Sequence, residues 1–183
     1  MMKWWREQKW AAGIVLVIRL LLGWQWMTAG FHKLTDGFNA GGFLNNAVAN
    51  PVLDKGTGEL VYPTFTAFVE HFALPNVKLI NFMIPLGEFL VGVGLIVGAL
   101  TTAAAFFGLL MNFMFMFAGT VSTNPWLMLL GMLVLTAGAN GGAYGLDRYI
   151  RPFTRKLIDR IRHTKPKEPK AGDKPNIKMT PQH

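Results

Sequence analysis

Four long runs of apolar residues dominate the sequence and leave few folds open to it. They cover about 11–31, 78–99, 101–120 and 126–143. A helix needs roughly 20 apolar residues to cross a hydrocarbon layer about 30 Å thick. Inside lipid a helix also satisfies its own backbone polar groups, which few other structures do. The runs therefore predict an all-α membrane protein, an antiparallel bundle of four transmembrane helices. A very tight turn near Thr101-Thr102 makes the second and third spans antiparallel neighbours. On the second span, Gly94 and Gly98 form a small-xxx-small pattern suited to close helix packing.

The placement of charge gives the chain an expected orientation. Of 18 Lys and Arg residues, three lie in the first ten positions and eleven from Tyr144 onward. Basic flanks face the cytoplasm, so both ends are expected there, in a multi-pass protein of the cell membrane. Trp4, Trp5 and Trp10 stand among Lys3, Arg6 and Lys9 as an interfacial anchor. Arg19 interrupts the first run and no Ala-x-Ala site follows, so that run reads as an uncleaved span rather than a signal peptide.

The long segment 35–77 is then external. Asp54-Lys55-Gly56-Thr57-Gly58 reads as a turn between the short extended pieces Pro51–Leu53 and Glu59–Tyr62. Phe65, Phe68, Val69 and Phe72 follow helical spacing, so 63–73 predicts a short helix lying on the outer membrane surface or closing on the bundle. From Tyr144, apolar residues at helical spacing alternate with Arg and Lys. This predicts a basic amphipathic helix over 144–162 on the cytoplasmic leaflet. Residues 163–183, rich in Pro and Lys, predict a disordered tail. The basic end lacks the aromatic pattern of a nucleic-acid surface. The absence of cysteine excludes disulfides, thiol catalysis and cysteine-ligated clusters within this chain.

Charged residues inside lipid almost always face the bundle interior and find partners. With the inner ends of the spans taken as level, Arg19 lies about 12 Å deep, and Glu88 and Asn112 about 16 Å deep. Arg19, Gly23, Trp26, Gly30 and Lys33 share one stripe of the first span. An Arg19–Glu88 ion pair beside Asn112 is the expectation, and it has two readings. It is either a structural latch or the lining of a cavity for a polar-headed hydrophobic molecule, most simply a quinone. In the second reading Arg19 and Glu88 are catalytic, and Arg19, Trp26, Glu88 and Asn112 hold the quinone. Lys33 and His32, at the outer end, would attract an anionic substrate. The spacing of His32 and His71 matches no metal or haem motif.

Several of these residues also carry a resemblance. Arg19-Leu20-x-Leu22-Gly23 followed by Ala29-Gly30-x-x-Lys33-Leu34 resembles the first helix of the DoxX/DoxD-like membrane proteins. Pro85-x-Gly87-Glu88 with Gly94-Leu95, then Thr101-Thr102-Ala103-Ala104 and Gly145-Leu146-Asp147, continue the likeness in order over roughly 11–150. The long 35–77 loop looks like the DoxD side, the large subunit of thiosulfate:quinone oxidoreductase. The resemblance implies a four-helix bundle. It also implies quinone-linked oxidation of thiosulfate to tetrathionate, or association with soluble enzymes of oxidative and thiol stress. Arg19, Lys33, Glu88 and Asp147 are the positions it carries over. Without cysteine, a flavin fingerprint or a haem pair, electrons would pass directly to bound quinone or through a partner subunit. The expected function is a membrane subunit of a quinone-linked oxidoreductase. The alternative is a non-enzymatic membrane anchor that docks soluble redox proteins through 146–161 and the tail. A transporter has less behind it, since the four spans show no recognisable inverted repeat.

Overall fold

The computed structural model describes residues 2–150, 152–154 and 156. The chain divides into two units, Met1–Ile150 and Arg151–His183. In the second unit the described residues are helical. The predicted tail 163–183 and the later part of the predicted basic helix 144–162 lie outside the described residues; 147–150 is helical.

The first unit is built on four apolar helices: α2 (Lys9–Thr35), α5 (Val77–Val97), α6 (Thr101–Phe117) and α7 (Asn124–Thr136). They pack in a ring, with α2 on α5, α5 on α6, α6 on α7 and α7 back on α2. Pro125 sits in the first turn of α7, where a missing N–H removes no helical bond. A 3-10 turn, Gly138–Gly142, follows α7. A short α1 (Met2–Glu7) packs at the same end, where Trp5 Nε1 donates to Leu133 O at 3.1 Å and Arg6 Nε to Thr136 O at 3.1 Å.

Helices α2 and α5 are each long and apolar enough to cross a membrane. Only 33% and 28% of their most apolar stretches are buried. A core helix of a soluble protein would hide these side chains, whereas Leu21, Trp24, Phe82 and Leu90 stand outward and exposed. Apolar surface on this scale marks membrane contact. The other two expected spans are apolar but shorter, with 17 residues in α6 and 13 in α7. At 1.5 Å per residue these measure about 25 and 20 Å.

The α2–α5 contact is the closest in the bundle. A Cβ added at Gly30 would meet the Phe89 and Pro85 backbone, one at Gly92 the Met27 backbone, and one at Gly23 the Gly92 carbonyl. These glycines let the two backbones touch, which packs helices where lipid supplies no hydrophobic driving force. They, rather than Gly94 and Gly98, form the seam. Gly94 faces Ala104 of α6, and Gly98 ends α5 in the left-handed conformation, φ +70°. The main core, Leu22, Trp26, Val91, Leu95, Ala105 and Val134, lies where the four helices meet.

Between α2 and α5 the chain folds into a cap at the Lys33 end of the bundle. It holds α3 (Gly41–Ala49), which is not among the expected helices, and α4 (Pro63–Phe68), continued by a π turn, Val69–Ala73. Residues 63–73 are thus helical, as one α segment and one π turn. Phe65 packs on Phe117 of α6, and Val69 joins Ala40, Leu44 and Ala73 in a small second core. Phe68 and Phe72 stack on the exposed side, 5.3 Å between centroids. The expected turn at 54–58 is closed by a bridge between Leu53 and Leu60. The N–H groups of Thr57 and Gly56 donate to Asp54 Oδ1, each at 2.8 Å, and hold its carboxyl below the usual carboxylate range.

Candidate functional site

Lys33 stands in the last turn of α2, and Glu88 midway along α5 faces the bundle interior with 1% of its surface exposed. The register set by Gly30 and Gly92 brings them level. Lys33 Nζ donates to Glu88 Oε1 at 2.5 Å. The ammonium also lies 5.2 Å from the centroid of the Phe38 ring and 5.6 Å from that of Phe115. Aromatic faces attract a cation without consuming its N–H donors. An ammonium has three such donors and a carboxylate about four acceptor positions, so one hydrogen bond leaves both under-used. Glu88 Oε2 has no hydrogen-bond partner among the described residues.

The pair borders a cavity of about 300 Å³ between α2, α5, α6 and α7. Trp26, Phe38, Phe43 and Phe115 form aromatic walls, and the hydroxyl residues Thr120, Ser122 and Thr123 stand at its exposed rim. Ser122 adopts φ +39°. A non-glycine residue held in the left-handed region stores about 1–3 kcal/mol, and such residues gather at functional sites. Chemically, the cavity offers a cation that can donate, a buried carboxylate oxygen that can accept, and flat apolar walls. That combination suits a planar ring with a carbonyl or hydroxyl.

Arg19 lies elsewhere. Its Nη1 donates to Gly141 O at 3.1 Å and its Nη2 to Tyr144 O at 3.2 Å. The side chain is 1% exposed and lies against Gly98 and Gly145, which leave room for it. Asp147 attracts it electrostatically, and that carboxylate accepts the N–H groups of Leu100 at 2.6 Å and Thr101 at 3.0 Å. Arg19 and Asp147 thus fasten α2, the α5–α6 turn and the chain after α7 to one another. Asp147 also caps the first turn of α6, where N–H groups have no helical partner.

The expected Arg19–Glu88 pair is therefore not formed. The estimate of equal depth took Ala11 as level with Ala99. In the fold Arg19 is level with Gly98, because α2 runs past the end of α5. Eight residues of offset are about 12 Å, and the fourteen residues from Arg19 to Lys33 about 21 Å. Asn112 does not reach the cavity either. It is 1% exposed beneath Trp26, beside Leu22 and Leu95 in a void that admits no water, and its Oδ1 has no partner among the described residues. His32 points away, its Nδ1 3.5 Å from Asp36 Oδ2 and both side chains more than 70% exposed. Of the expected site residues, the fold gathers Trp26, Lys33 and Glu88 at one cavity. It leaves Arg19, Asn112 and His32 outside. Phe38, Phe43 and the rim hydroxyls escaped notice because they lie in loops or short elements without periodicity. Among the described residues no group of three His, Asp or Glu side chains is placed to hold a metal ion.

An all-helical membrane protein with a half-buried lysine paired to a buried glutamate under a helical cap is the class these features define. The DoxX family matches over residues 14–122, more than half of the chain, and the chain belongs to that family. The matched stretch contains Arg19, Lys33 and Glu88 and ends before Asp147. Neither a curated protein nor a solved structure matches the chain.

Proposed function

We propose that the protein is a four-span membrane subunit of a quinone-linked oxidoreductase, and that the cavity at Lys33 and Glu88 holds the quinone ring. One observation carries this reading. A buried carboxylate keeps one oxygen unpartnered beside a lysine ammonium, at a cavity with aromatic walls. Lys33 would donate to one ring oxygen. Glu88 Oε2 would accept from a ring hydroxyl, or pass on the proton that the oxygen takes up on reduction. Family membership supports the quinone link. Arg19, the first candidate for these roles, becomes a fastening residue.

The four-span topology rests on the apolar α6 and α7 packing in the ring with α2 and α5, and on their exposed apolar faces. The basic residues at the two ends of the sequence favour cytoplasmic termini and an external Lys33 end. Thiosulfate, the donor suggested by the DoxD-like loop, would then approach the Lys33 rim, with its hydroxyls from Thr120, Ser122 and Thr123. Two thiosulfate ions give tetrathionate and two electrons. Quinone takes up those electrons with two protons to become quinol.

Glu88→Gln tests the reading, because glutamine keeps the shape and loses the charge. A hydrogen bond to a charged group contributes about 1.5–3 kcal/mol. Binding of a soluble benzoquinol analogue, whose hydroxyl can donate to Glu88 Oε2, to the purified full chain should therefore weaken at least about tenfold. Unchanged binding in a folded Glu88→Gln protein would remove the proposal.

A further inference from the structure

A second cavity adjoins the first and lacks its polar groups. It encloses about 490 Å³ between the cap, α5 and α6, and almost all of its surface is apolar. Phe65 and Val69 of the cap roof it, and Gly87, Met111 and Met114 form its floor. Met83, Leu90, Phe107 and Leu110 at its border are exposed on the lipid-facing surface, so it opens sideways toward hydrocarbon. Phe43 and Phe115 belong to both cavities. Their rings meet edge to face at 6.0 Å and 83°, forming the partition between the two chambers. Gly87 and Glu88 are neighbours on α5, one at each chamber. Each volume lies in the range of about 300–1,000 Å³ usual for small-molecule sites.

We infer that the two cavities are one site for a single tailed amphiphile, its ring at Lys33 and Glu88 and its hydrocarbon tail in the groove beneath the cap. This rests on the ring assignment above and adds the class of ligand and its route. The ligand is lipid-resident and enters sideways between the cap and the α5–α6 pair. The Phe43–Phe115 partition is where ring passes to tail. The groove offers a tail no polar partner, and the ring chamber offers a ring both a donor and an acceptor. A single molecule with both parts satisfies the two at once.

The test uses the full chain in detergent and two probes. One is a benzoquinone with a decyl tail carrying a diazirine at its tip, and the other is the same ring without a tail. Irradiation followed by peptide mapping should place the label on Met111, Met114 and neighbours in the cap. Excess untailed ring should displace it. Gly87→Leu should cut groove labelling at least about tenfold while the untailed ring still binds by calorimetry. A Cβ at Gly87 meets only the Met111 side chain, at 3.5 Å, so the backbone has room for the change. Met114→Trp blocks the groove from the other wall and guards against a folding failure of the first variant. Label spread over all lipid-facing helices, or labelling indifferent to both variants, would overturn the inference. So would groove label that untailed ring does not displace, the mark of an ordinary bilayer acyl chain. If the untailed ring fails to bind the unaltered protein, the ring assignment itself falls, and that result is read separately from the label.

Discussion

Lys33 and Arg19 carry the same charge on the same helix, yet their surroundings give them different work. Arg19 gives its Nη1 and Nη2 to backbone carbonyls, and its buried Nε has no partner among the described residues, whereas Lys33 shares a carboxylate that keeps one oxygen free at a cavity. Removing one member of a buried pair strands the other, at about 3–5 kcal/mol. The Lys33 side chain is 31% exposed, so Lys33→Ala should cost about 3 kcal/mol, the low end of that range. Glu88→Gln should cost less, since the glutamine oxygen still accepts from Lys33. Thermal melting in detergent ranks the two. Arg19→Gln should lose more than about 3 kcal/mol, because two bonds from a charged donor disappear together. In the same melts Arg19→Lys should fall between, since a lysine cannot reproduce the two-pronged guanidinium. The surviving folded fraction of Arg19→Lys should bind the quinone ring within about twofold of the unaltered protein, as expected for distant sites. A large loss of ring affinity there would return Arg19 to the site.

At the scale of elements, the register of α2 against α5 decides which charges meet. Gly92→Val should destabilise the bundle by about 3 kcal/mol or more, because its Cβ collides with the Met27 backbone, which cannot step aside. Gly13→Ala is the control. An added Cβ there meets nothing within 4 Å, and the change should stay within about 1 kcal/mol. Much of this element was legible beforehand. The apolar runs located α2 and α5 to within a few residues, and helical spacing put Trp26, Gly30 and Lys33 on one stripe. Register was not legible from run lengths alone. The true guide was steric, since Gly23, Gly30 and Gly92 are where backbones can touch, and matching them pairs Lys33 with Glu88. The cap was half legible. Phe65, Phe68, Val69 and Phe72 announced α4, and Asp54 to Gly58 announced the turn. In α3, Gly41, Gly42, Asn45 and Asn46 are weak helix formers, and the helix depends on burying Leu44 and Ala47.

For the whole molecule, the proposed topology makes a labelling prediction that the chain is well suited to answer. It has no cysteine, so single cysteines can be introduced without removing any. Lys55→Cys, in the exposed turn of the cap, should react with an impermeant maleimide added outside intact cells. Lys3→Cys should react only after the membrane is opened. The reverse pattern would invert the bundle, and labelling of both from outside would mean that α2 does not cross the membrane. The central claim itself is about place: a quinone-type ring binds at the Lys33 end, between the lysine and the buried carboxylate. A structure of the full chain with a bound tailed benzoquinol tests it most directly. The expected result is one ring oxygen within hydrogen-bond distance of Lys33 Nζ and a ring hydroxyl within hydrogen-bond distance of Glu88 Oε2. Density beside Arg19, or an empty Lys33–Glu88 cavity with the analogue bound elsewhere, would contradict it.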